Sequence, residues 1–72
     1  MRQRHQRRTF KEMKAEVLKT LKEYDRMRPS KLMYKVNLTS DSKDNICNEL
    51  EAEGLVRKEQ VDKFHYEYVY VD

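Results

Sequence analysis

The chain has 72 residues and a mass of 8.9 kDa, which leaves room for one domain with one small core. Its 16 Lys and Arg against 13 Asp and Glu give a net charge of +3, and 40% charged residues against 38% hydrophobic ones. No apolar run approaches the roughly 20 residues that cross a bilayer, and the charged start leads into no apolar signal core. A single cysteine, Cys47, excludes an internal disulfide and a structural zinc site, so a cytoplasmic location is expected.

The charge is uneven. Residues 1–8 carry Arg2, Arg4, Arg7 and Arg8 with no acid, whereas the remaining 64 residues sum to −1. A basic arm on a near-neutral body suits an anionic polymer or surface, and a solvated tail fits the same composition. Residues 1–8 show no apolar periodicity and read as a flexible arm, with a single domain over 9–72.

Thr9-Phe-Lys-Glu12 reads as a capping box. Phe10, Met13, Val17, Leu18, Leu21 and Tyr24 then recur at helical steps, so a first helix with one apolar face runs to Asp25. Met27-Arg28-Pro29 must be extended or turning, because a residue before proline leaves the α region. Ser30 is the expected cap of a short second helix over 30–36, with Leu32, Met33 and Val36 inward. Asn37 suits a left-handed turn, and Leu38 plugs the space before the next helix. The third helix lies within 39–53, with Ile46, Cys47 and Leu50 inward and Gly54 at its end. Beyond Gly54 the period becomes alternating. Leu55 to Gln60 and Tyr66 to Val71 form a two-stranded β-hairpin around the loop Val61–His65. Tyr66, Tyr68 and Tyr70 share one face of the last strand, and Val69 and Val71 share the other. That second face offers a subunit contact, or merely reflects β propensity.

Three helices followed by a hairpin wing make an α+β, winged helix-turn-helix plan. The run Ser30-Lys-Leu-Met-Tyr-Lys-Val-Asn-Leu-Thr39, the segment Thr39–Glu53 and Gly54-Leu-Val56 together resemble the short archaeal winged helix-turn-helix proteins. Members are small chromatin-associated proteins and regulators of archaeal viruses and plasmids. The resemblance spans about residues 12 to 70. It implies double-stranded DNA as partner, a homodimer, a third helix in the major groove and a wing along the backbone. Such a protein would work near the nucleoid, or in the host cytoplasm if viral. Two departures stand out. Lys43 falls on the inward face, where it must snorkel unless the helix starts later with Asp41 as N-cap. The long C-terminal helix through which some members dimerise has no counterpart here.

On this reading Thr39, Ser40, Ser42, Asn45 and Asn48 face the major groove, the asparagines suited to adenine. Phosphates fall to Arg28, Ser30, Lys31, Tyr34 and Lys35 on the second helix and to Arg57, Lys58, Lys63 and His65 on the wing. Arg2, Arg4, Arg7 and Arg8 of the arm would follow the minor groove. Against this, residues 40–53 carry Asp41, Asp44, Glu49, Glu51 and Glu53 with Lys43 alone. Asp41 and Asp44 are expected to serve the first turn as caps or dipole partners. The acidic helix suits a rival reading, a protein-interaction module that docks through its third helix. RNA binding is a third option. No residue set points to catalysis, a cofactor, a metal or a small-molecule substrate: His5 and His65 lack a paired nucleophile, and one glycine makes no phosphate loop.

Overall fold

In the computed structural model, which describes residues 8–71, α1 (Phe10–Tyr24), β1 (Arg26–Met27), α2 (Pro29–Val36), α3 (Ser40–Ala52), β2 (Val56–Gln60) and β3 (Tyr66–Tyr70) follow in order. Three helices and one antiparallel sheet make the fold α+β. The sheet has three strands in the order β1-β3-β2, which corrects the expected two-stranded hairpin. The added strand has only two residues, too few for a periodicity to show. It pairs Arg26 with Val69 and Met27 with Tyr68, so β3 is central. β2 completes the sheet from Val56↔Tyr70 to Gln60↔Tyr66.

The caps explain where each helix begins and stops. Glu12 N–H donates to Thr9 Oγ1 at 3.1 Å, and Thr9 N–H donates to Glu12 Oε1 at 2.9 Å, the reciprocal box read from the sequence. α1 stops at Asp25, which has φ 70 and whose carbonyl accepts from Tyr70 N–H at 2.7 Å, tying the helix end to β3. α2 begins one residue before the expected cap Ser30. Pro29 takes the first helical position and Arg28 stays extended, because proline lacks the N–H that this position leaves unused. Asn37 is left-handed (φ 57), and Leu38, buried as expected, donates its N–H to Met33 C=O at 2.9 Å. Thr39 caps α3 by accepting from Ser42 N–H, so the later start at Asp41 is not taken. Gly54 ends it at φ 77, with Gly54 N–H on Glu51 C=O and Leu55 N–H on Leu50 C=O, both 3.0 Å.

Val17 and Leu21 of α1, Leu32 of α2, and Ile46, Cys47 and Leu50 of α3 are fully buried, with Tyr68 of the sheet beside them. The ends of the predicted α1 face escape this core: Phe10 is 40% and Tyr24 45% exposed. Tyr66 and Tyr70 pack against the core, whereas Val69 lies in register between Arg26 and Arg57. On that outer side Arg26 bridges Glu59 and Glu67, and Arg57 reaches Glu59, so ion pairs surround Val69. Charge, not a continuous apolar patch, dominates there.

Lys43 does not snorkel into solvent. Its side chain is 7% exposed, with Nζ 2.7 Å from Asp44 Oδ1 and 5.7 Å from the centre of the Tyr68 ring. Burial would lower its pKa, but the hydrogen bond to Asp44 and the neighbouring charges hold it above the usual 10.5. Burial also pushes the Cys47 thiol from 9.0 up to about 11, and the Tyr68 hydroxyl well above its ordinary range. All three groups hold their protons in the folded chain at pH values where the unfolded chain releases them. The Cys47 contribution is therefore complete below about pH 9 and is lost as pH rises toward 11, and those of Tyr68 and Lys43 are lost at higher pH. The Cys47 share is on the order of 2 to 3 kcal/mol. Urea unfolding at pH 8 and pH 11 should show this loss, with a smaller pH dependence in Cys47→Ala. An equal pH dependence in that variant would count against a buried, neutral thiol.

Candidate nucleic-acid interface

Because α3 packs through Ile46, Cys47 and Leu50, Ser40, Asp41, Asp44, Asn45 and Asn48 are left exposed. Thr39 is exposed too, but its hydroxyl is engaged as the cap, and Ser42 is half-buried. The acids of this helix are less available than their number suggests. Lys14 of α1 places Nζ 2.6 Å from both Glu49 Oε1 and Glu53 Oε2, and these hydrogen bonds raise its pKa. Asp44 does not cap α3; its hydrogen bond from Lys43 Nζ lowers its pKa instead. Among the described residues only Asp41 and Glu51 of α3 lack an ion pair.

α2 supplies the complementary charge. Arg28, Ser30, Lys31 and Tyr34 are brought together along an open cleft of about 530 Å³, bounded by Tyr24 and β1. Arg28 and Lys31 are exposed and make no ion pair among the described residues. Tyr34 is 85% exposed and so contributes nothing to the core. Lys35 is set apart: its Nζ donates to Tyr24 Oη at 3.1 Å, which raises its pKa.

The hairpin residues divide. Lys58 Nζ lies 4.7 Å from the centre of the Tyr66 ring, and Lys63 Nζ 5.9 Å from that of Phe64. His65 Nδ1 lies 2.8 Å from Asp62 Oδ1; this bond, with the Phe64 N–H, holds the Asp62 carboxyl below its usual range. Arg57 is committed to Glu59 at 3.0 Å, on the face of the sheet that also carries Arg26.

Arg8 corrects the reading of the arm. Its guanidinium pairs with Glu16 and donates to Asn37 C=O at 2.8 Å, so it fastens the chain to α1 and the end of α2. Arg2, Arg4 and Arg7 lie outside the described residues. Sequence reasoning missed Phe64, which is 82% exposed at the hairpin loop and shares a recess with Arg28 and Ser30. An aromatic residue among the polar residues Asp62, Lys63 and His65 of a short loop was the available signal.

Among the described residues no group of three His, Cys, Asp or Glu side chains could hold a metal ion, and no helix is long and apolar enough to cross a membrane. The chain matches no family model, no curated protein and no solved structure.

Proposed function

We propose that this chain is a double-stranded DNA-binding protein of the winged helix-turn-helix type, a transcriptional regulator acting as a homodimer in the cytoplasm. One observation carries the reading: three of the five acids at 40–53 are paired with Lys14 or Lys43, while Arg28 and Lys31 on the preceding helix have no acidic partner among the described residues. The order helix, strand, two helices, two strands, with β3 central and a three-residue turn before α3, supports it further. Asn45 and Asn48 would read base edges, and Arg28, Lys31, Lys58 and Lys63 would hold phosphates. Asp41 remains on the reading face, and selectivity would then come from few base contacts. The rival reading, docking of a protein through an acidic third helix, is less favoured because three of its five acids are already paired.

Fluorescence anisotropy on random duplex DNA, titrated from low to moderate salt, tests the proposal. The full chain should show a log–log salt slope of about −5 or steeper, consistent with six or more phosphate contacts. A chain starting at Arg8, which keeps the contacts of that residue, should lose about three units of slope with Arg2, Arg4 and Arg7. Absence of binding by both forms at low salt would overturn the reading and favour the protein-docking one. A footprint on a single asymmetric half-site would overturn the dimer.

A further inference from the structure

We propose that Phe64 is a wedge that enters between base pairs and bends the bound duplex, an inference that rests on the duplex-binding reading. An 82% exposed phenylalanine is costly to keep in water, and nothing in the core needs it. The loop that carries it is held rigid. Asp62 Oδ1 accepts from Phe64 N–H and His65 N–H, both at 3.0 Å, and meets His65 Nδ1 at 2.8 Å. Val61 N–H closes the loop on His65 C=O at 2.9 Å. A rigid base lets an aromatic tip enter a stack without first losing the freedom of a floppy loop.

The surroundings select a polyanion as the occupant. The carboxylates near the tip are engaged: Asp62 by the loop itself, Glu59 by Arg26 and Arg57, and Glu67 by Arg26. Lys63 Nζ sits over the Phe64 ring, and Arg28 lines the same recess of about 320 Å³. A backbone phosphate held by Arg28 therefore brings the adjoining groove against the ring. Apolar side chains flanked by cations unstack base steps in this manner and kink the duplex.

The test uses the full chain and a duplex of about 20 base pairs rich in TA steps, the steps most easily unstacked, with 2-aminopurine at the centre. Anisotropy reports binding and 2-aminopurine emission reports unstacking. The wild-type chain should raise that emission about twofold or more on binding. Phe64→Ala should bind about tenfold more weakly, with an unchanged salt slope and no rise in emission. The chain contains no tryptophan, so Phe64→Trp provides a unique probe whose emission should be quenched and shielded from acrylamide in the complex. Binding without an emission rise, or a Trp probe still open to acrylamide, would overturn the wedge and leave duplex binding standing. No binding at low salt would instead overturn the duplex reading itself, and the wedge with it.

Discussion

Reversing Arg28 and Lys31 together (Arg28→Glu, Lys31→Glu) is expected to lower duplex affinity about a hundredfold or more at 0.1 M salt. Each phosphate contact releases about 0.9 counterion, worth nearly tenfold in affinity at that salt, and the new carboxylates add repulsion. The log–log slope should become shallower by about two units. Both side chains are exposed and make no ion pair among the described residues, so the fold should survive and circular dichroism should be unchanged. The matched control is Lys19→Glu with Lys22→Glu on α1, exposed positions whose reversal changes the net charge equally. If the control weakens binding as much, attraction is a matter of total charge, and the cleft at the start of α2 is not the phosphate site.

What could be read from the sequence follows the range of the interactions. The capping box at Thr9 and Glu12, the left-handed Asn37 and the glycine stop at Gly54 all depend on neighbours within five residues. Such contacts leave a local signature. β1 depends on Val69 and Tyr68, about forty residues away, and two residues cannot display an alternation. The start of α2 failed for a different reason. Ser30 and Pro29 both carry helix-start signals, and a proline at the first helical position outranks a serine one residue later.

The same distinction governs the candidate site. The exposed face of α3 follows from a 100° period, and Asn45 and Asn48 lie on it. Its electrostatics were not legible. Lys14 reaches Glu49 and Glu53 across 35 and 39 residues, and a sum of charges over one helix counts those acids as unopposed. Arg8 erred in the other direction: grouped with the arm by composition, it is held by Glu16 and the Asn37 carbonyl. Lys43 shows that a cation on an inward face can stay there when the next residue supplies a carboxylate at the rim.

Leu21→Ala should remove about 3 to 4 kcal/mol of stability, a large share of the 4 to 10 kcal/mol on the order expected for a chain of this length. Leu21 is fully buried, on a helix that packs against α2, α3, β1 and β3, so no single neighbour can close the cavity. Tyr34→Ala, at an 85% exposed position, should stay within about 0.5 kcal/mol of wild type in the same urea titration. Under the duplex-binding proposal, DNA then links stability to function. A ligand that binds only the folded chain restores about 2.7 kcal/mol at a hundredfold excess over its Kd, so duplex should recover most of the Leu21→Ala loss. Adding Arg28→Glu and Lys31→Glu to Leu21→Ala should abolish that recovery without further loss in the absence of DNA. Recovery that survives the charge reversal would mean that duplex engages another face of the folded domain. Absence of recovery in Leu21→Ala alone, at concentrations that saturate the wild-type chain, would mean that DNA does not distinguish folded from unfolded protein.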